Sequence, residues 1–144
     1  MRNDFSIYLA GAMGDISFEK SNDWRMEIKK NLTDAAMWHS DVNISIINPN
    51  DYYNFKEVTY DSNREVMEFD LYKVRNSNLI VVNFNYVKSL GTMAEIAIAY
   101  ENKIPIIGLN ENKEELHPWQ IEMCNKIFDD KAKLIDYINY YYLN

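Results

Sequence analysis

Leu79-Ile-Val-Val82 is the stretch whose reading decides the fold. Four consecutive apolar residues leave no polar face, and a strand of that kind belongs in the middle of a parallel sheet, buried on both sides. After a loop, residues 92–102 carry a helical pattern, so strand, loop and helix together make the beginning of a β-α-β crossover. The same alternation recurs in both directions. Upstream, Phe5-Ser-Ile-Tyr-Leu-Ala10 reads as a strand that ends at the turn Gly11-Ala-Met-Gly14. Ser21-Asn22-Asp23 offers N-cap candidates for a helix with Trp24, Ile28 and Leu32 on one face. Asn43-Ile-Ser-Ile-Ile47 is a second strand, stopped by the turn cluster Asn48-Pro-Asn-Asp51. Residues 52–60 lack periodicity and read as a loop. Ser62-Asn-Arg-Glu65 is a capping-box pattern, opening a helix to about residue 75 with Val66, Phe69, Tyr72 and Lys73 toward the core edge.

Downstream, Ile104-Pro-Ile-Ile-Gly108 is a strand whose proline sits at its start, where a missing N–H is tolerated. Residues 117–125 read as a helix, Lys126–Phe128 as a short strand, and residues 130–142 as a final helix. Five strands alternating with helices define an α/β domain, a five-stranded parallel sheet covered on both faces through right-handed crossovers. The flavodoxin-like order 2-1-3-4-5 is the expected arrangement. A chain of 144 residues has room for one core, so a single domain over 1–144 is expected.

Composition narrows the function. The formal net charge of −7 argues against a binder of nucleic-acid polymers, which needs a basic face to displace counterions. A small anionic ligand stays open, because backbone N–H groups at a helix N-terminus hold phosphate whatever the overall charge. Cys124 is the only cysteine, which rules out an intramolecular disulfide and fits a reducing compartment. No apolar leader follows Met1, so a cytoplasmic setting away from membranes is expected. His39 and His117 are the two histidines and form no ligand cluster, so neither a metal nor another cofactor is expected.

In sheets of this order, ligands bind beyond the carboxyl ends of the strands, where the order reverses between the first and third strands. That selects residues 11–15, 48–60 and 83–92. Ser89-Leu-Gly-Thr-Met-Ala-Glu95-Ile-Ala-Ile-Ala-Tyr100 adjoins the last of these, and Glu95 is its one charged residue. A carboxylate in an apolar helix is costly unless something compensates it. Two explanations stand side by side: Thr92-x-x-Glu95 as a capping box, or Glu95 as a chemical group in the first turn of a helix that opens onto the ligand crevice. Gly11 and Gly14 after the first strand, with Gly91 before the helix, could set N–H groups around an anion, although ordinary turn chemistry also explains glycines there.

Three segments resemble a known family. Ile7-Tyr8-Leu-Ala-Gly11-Ala-Met13, Phe69-Asp70-Leu71 ahead of Asn78-Leu-Ile-Val-Val, and Ser89-Leu-Gly-Thr-Met-Ala-Glu95 are similar, in order and spacing, to nucleoside 2-deoxyribosyltransferases and the related nucleoside 5′-monophosphate N-glycosidases. The resemblance implies that Glu95 attacks the anomeric carbon and forms a glycosyl-enzyme intermediate, as retaining glycosidases do. It implies that Tyr8 orients Glu95 and that Asp70 contacts the leaving base and supplies its proton. It also places substrate contacts at Asn48, Asp51 and Ser89; Met13 could pack against the base, with gap-filling in the core an equal reading. His117 and Trp119 fall where relatives reach into a neighbouring subunit's site, which implies a homo-oligomer. For Asn48 and Asp51 taken singly, a turn role competes with base binding. Trp24 and Trp38 are expected in the core or at an interface. Ser89 stands where the free-nucleoside transferases carry aspartate and the monophosphate hydrolases carry serine. The expected activity is therefore transfer of a nucleoside's sugar to another base, with hydrolysis of a nucleoside 5′-monophosphate as the alternative. A catalytically silent nucleotide-binding module would have been free to lose Glu95, and an electron-transfer flavodoxin would need a Ser/Thr-rich phosphate loop after the first strand.

Overall fold

The computed structural model describes residues 3–39, 41–53 and 60–144. Its strands β1 (Asn3–Ala10), β2 (Val42–Ile47), β3 (Leu79–Asn83), β4 (Ile106–Leu109) and β5 (Lys126–Phe128) form one sheet in the order β2-β1-β3-β4-β5. Every neighbouring pair is parallel. The helices are α1 (Phe18–Ala36), α2 (Asn63–Arg75), α3 (Leu90–Glu101), α4 (Pro118–Met123) and α5 (Lys131–Tyr141). The expected architecture and strand order are those observed. Among the described residues, no helix is long and apolar enough to cross a membrane.

Alternation along the strands divides the core into two layers. Ile7 and Leu9 of β1, with Leu79 and Val81 of β3, pack beneath α1 and α5 against Trp24, Ile28, Leu32, Leu134 and Ile138. Tyr8 and Ala10, with Ile80 and Val82, face the opposite way and meet Val74, Ile96 and Ala99 of α2 and α3. All five residues of β3 are buried, which explains its unbroken apolar run. Register carries this alternation across the sheet: Tyr8 lies opposite Ile47 on β2 and Ile80 on β3.

Several boundaries differ from the sequence reading, each for a local reason. α1 starts at Phe18, where Ser17 Oγ accepts from the Lys20 N–H at 3.2 Å, rather than at Ser21. Ser21 is instead buried in the helix and donates its hydroxyl to the Phe18 carbonyl at 2.9 Å. α3 starts at Leu90 with Ser89 as its N-cap, accepting from the Thr92 N–H at 3.3 Å and the Thr92 hydroxyl at 2.9 Å. Glu95 therefore lies in the second turn, not the first, and the proposed Thr92–Glu95 capping box does not form. On α2, Ser62 accepts from the Glu65 N–H as expected, at 3.2 Å, but Glu65 reaches the Asp61 N–H at 3.3 Å. The fully buried residue of α2 is Val74, whereas Phe69 and Tyr72 are exposed. β4 starts at Ile106, after Pro105. Trp24 is in the core as expected, but Trp38 is 89% exposed and belongs to no core. Of the expected loop at 52–60, residues 54–59 lie outside the described residues.

Gly108 on β4 is held by packing. A Cβ there would sit 2.9 Å from the Phe84 ring and 3.2 Å from Ile127 Cγ1. Gly108→Ala should destabilise the fold by about 1–3 kcal/mol, the usual cost of overpacking a filled core. Urea unfolding should show a lower midpoint with an unchanged slope.

Candidate active site

Because β1 lies between β2 and β3, the chain leaves β1 for one sheet edge and returns to start β3 on the other side. The β1–α1 turn and the N-terminal part of α3 separate there and leave a cleft of about 360 Å³. Gly11, Met13, Gly14 and Asp15 of the turn form one wall, Asn63, Val66, Met67, Asp70 and Leu71 of α2 another, and Ser89, Gly91, Thr92, Ala94 and Glu95 of α3 a third. A larger hollow of about 530 Å³, lined by Tyr100, Lys103, Glu122 and Asn125, opens at the amino ends of β4 and β5 and contains none of these groups. The cleft at the topological switch is the candidate site because the chemistry converges there.

Glu95 points into the cleft, while Ile96 and Ala99 of the same helix are buried against the sheet. Burial pushes the Glu95 carboxyl up to about 8, and the neighbouring Asp70 charge adds to the rise; the nearby Tyr8 hydroxyl and the charge of Arg25 oppose it. Tyr8 is fully buried below Glu95. Its hydroxyl completes no standard hydrogen bond, although Glu95 is close enough to be its electrostatic partner. Burial first, then the Glu95 and Asp70 charges, hold the phenol well above its ordinary value, so Tyr8 remains a neutral donor. Asp70 accepts a 2.8 Å hydrogen bond from the Tyr53 hydroxyl. Burial raises its carboxyl above the ordinary range, against the lowering effects of that bond, Arg25 and Lys73.

Of the residues singled out from sequence, Glu95, Asp70, Gly11, Met13, Ser89 and Gly91 line the cleft together, with Tyr8 beneath it. Asn48 and Asp51 do not. Asn48 is fully buried, accepts from the Asn50 N–H at 3.0 Å and donates to Asn22 Oδ1 at 2.9 Å, while Asp51 pairs with Lys29 at 3.1 Å. Both serve the turn after β2, outside the cleft lining. His117 caps α4, accepting from the Trp119 N–H at 3.1 Å. It and Trp119 line an adjoining hollow with Lys88, Leu90, Met93 and Gln120, outside the cleft itself. Sequence reasoning missed Tyr53, whose hydroxyl holds Asp70, and also Asp15 and Asn63 on the cleft walls. It missed Arg25 too, which is buried behind the turn. Asp15 and Asn63 had a usable signal, since both flank loops at the carboxyl side of the sheet.

A flavodoxin-like sheet with two carboxyls raised above their ordinary range in the cleft at its switch point defines a class of small α/β domains with a carboxylate site. The family model described as nucleoside 2-deoxyribosyltransferase like matches residues 4–113, and the chain belongs to that family. Among solved structures, it is similar to the 2-deoxyribosyltransferase of Bacillus psychrosaccharolyticus, with a TM-score of 0.73 at 17% identity over 92% of this chain and 91% of that one. It is similar to the Leishmania mexicana 2-deoxyribosyltransferase, with a TM-score of 0.60 at 14% identity over 96% and 99%. It is also similar to the Clostridium botulinum CMP N-glycosidase BcmB, with a TM-score of 0.58 at 17% identity over 94% and 98%. At these identities the structural likeness concerns the fold. No curated protein sequence matches the chain.

The raised Glu95 carboxyl couples the site to stability. An acid that titrates higher folded than unfolded costs nothing below its unfolded value near 4.5, costs progressively more up to about 8, and its cost is constant beyond. Glu95→Gln should therefore stabilise the protein above pH 8 by an amount on the order of a few kcal/mol. Melting curves from pH 4 to 9 should show this gain shrink and vanish near pH 4.5.

Proposed function

We propose that this chain cleaves the N-glycosidic bond of a nucleoside and transfers the sugar to another nucleobase, with Glu95 as the nucleophile. The supporting observation is the convergence of Glu95, Asp70 and the Tyr8 hydroxyl on one cleft at the switch point. The ionised Glu95 attacks the anomeric carbon as the bond to the base nitrogen breaks, and the developing positive charge on the sugar is met by a carboxylate held nearby. A departing base anion is a poor leaving group, and Asp70, whose carboxyl is held above its ordinary range, supplies the proton that neutralises it. Tyr53 fixes the Asp70 carboxylate, and Tyr8 donates toward Glu95 without itself ionising. A second base then gives its N–H proton to Asp70 and attacks the anomeric carbon of the glycosyl ester, releasing the Glu95 carboxylate and forming the new nucleoside.

Hydrolysis of a nucleoside 5′-monophosphate is the second reading. It is favoured by the Ser89 hydroxyl and by the α3 N-terminus at Gly91, both on the cleft wall and suited to an anion. Against it stands Asp15, whose carboxylate shares the cleft with Asp70 and Glu95 and repels a phosphate dianion. A homo-oligomer in the cytoplasm completes the proposal. Leu90 and Trp119, 84% and 68% exposed beside the cleft, are apolar surface that a second copy would cover.

Incubation with nucleosides and with 5′-monophosphates, with and without an acceptor base, followed by chromatography, separates the readings. Base exchange is expected; free sugar phosphate without acceptor would favour the hydrolase. Glu95→Ala should lower turnover at least about a thousandfold and Asp70→Asn by about 10²–10⁴-fold. Full activity in Glu95→Ala would overturn the assignment of the nucleophile.

A further inference from the structure

Arg25 is the only buried charged residue in the core among the described residues, with none of its surface exposed. A guanidinium so placed is expensive unless its donors and its charge are both met. Its donors are met by backbone. Nε donates to the Leu9 carbonyl at 3.2 Å, Nη2 to the Gly11 carbonyl at 2.9 Å, and Nη1 to the Ser21 carbonyl. The guanidinium carbon also sits 4.8 Å over the Trp24 ring. Its charge is met by no direct ion pair among the described residues. The ionisable groups whose fields reach it are Glu95, Tyr8 and Asp70, the groups of the cleft.

The three carbonyls matter by position. Leu9 and Gly11 flank the last residue of β1, directly after Tyr8, and Ser21 lies one turn before Arg25 on α1. The fork therefore ties the end of β1 and the first residue of the cleft wall to α1. Gly11 accepts this closeness because it has no side chain: a Cβ would meet the Trp24 ring at 2.9 Å and Arg25 Nη2 at 3.4 Å. A fold staple needs only donors, and a neutral amide could supply some of them. A full positive charge behind two carboxylates is the feature that a staple alone leaves unexplained.

We infer that Arg25 is a positioning residue of the cleft, which fixes the β1–α1 turn through Leu9 and Gly11 and supplies the buried positive charge that lets Glu95 act as an anion. This rests on the proposed role of Glu95, but its test does not require turnover. The groups acting on Glu95 are Tyr8 from β1, Arg25 from α1, Asp70 from α2, and Tyr53, ahead of α2, whose hydroxyl holds Asp70. Carboxyl ¹³C NMR titration of Glu95, assigned with Glu95→Gln, reads the field directly in wild type, Arg25→Gln and Arg25→Lys. In Arg25→Gln the Glu95 midpoint should rise by about one pH unit, as for loss of a nearby opposite charge. In Arg25→Lys, which keeps the charge but loses the fork, it should stay within a few tenths of wild type (about 0.3). If the enzyme turns over, the pH profile of kcat should shift in Arg25→Gln in the same direction, with activity recovered at high pH.

An unchanged Glu95 midpoint in folded Arg25→Gln would overturn the inference, whether or not the protein turns over nucleosides. So would failure of both variants to fold irrespective of Glu95→Gln, which would assign Arg25 to the fold alone. Absence of turnover in wild type with the expected NMR shift would sink the proposed reaction and leave the electrostatic role of Arg25 standing.

Discussion

The handedness of the crossovers is the constraint on which the rest depends. Parallel neighbours need right-handed connections, so a strand order that reverses between β1 and β3 sends α1 and α2 to opposite faces of the sheet. Tyr8 and Ala10 turn toward α2 and α3, whereas Ile7 and Leu9 turn toward α1 and α5. The cleft opens at the place where these two layers part. Side chains far apart in sequence (Tyr8, Asp70 and Glu95) meet there for topological reasons, before any direct contact between them holds them together.

The same geometry sets the electrostatics. Glu95 and Asp70 come from two helices of one layer. Desolvation is the leading cause of both of their shifts. Tyr53 and Tyr8 give each carboxyl its own hydroxyl neighbour, and Arg25 stands behind both from the other layer. The site is thus a small set of charges spread over two layers and joined by the end of β1.

The sheet was legible because its signals are collective. Unbroken apolar runs, turns after strands and an α/β alternation along the whole chain leave few alternatives to the order found. Helix starts were less legible because single caps compete. Ser17 and Ser21 both suit an N-cap, and the exposed polar first turn of α1 lacks the periodicity that would decide between them. Ser89 and Thr92 compete in the same way. Leu90, apolar yet 84% exposed, hides the true start of α3. In the cleft, residues inside recognisable segments were legible: Tyr8, Asp70, Ser89 and Glu95. Arg25 and Tyr53 were not, because their partners are backbone carbonyls or a carboxylate 17 residues away, which spacing does not reveal. Asn48 and Asp51 lie outside the cleft lining, in a turn cluster whose composition is also that of a binding loop.

The raised Glu95 carboxyl has one further consequence for a reaction of the proposed kind. It titrates near 8, and the neighbouring Asp70 is among the causes of that rise. At neutral pH the nucleophile therefore rests mostly protonated, opposite to what bond cleavage requires. Passing that proton to Asp70 would give the reactive arrangement without a proton taken from solvent. Such a cleft idles in a capped form, its nucleophile masked, and is armed by whatever makes a proton on Asp70 cheaper than one on Glu95. A heterocycle nitrogen placed against Asp70 is well suited to do this, so that arming and occupancy become one event.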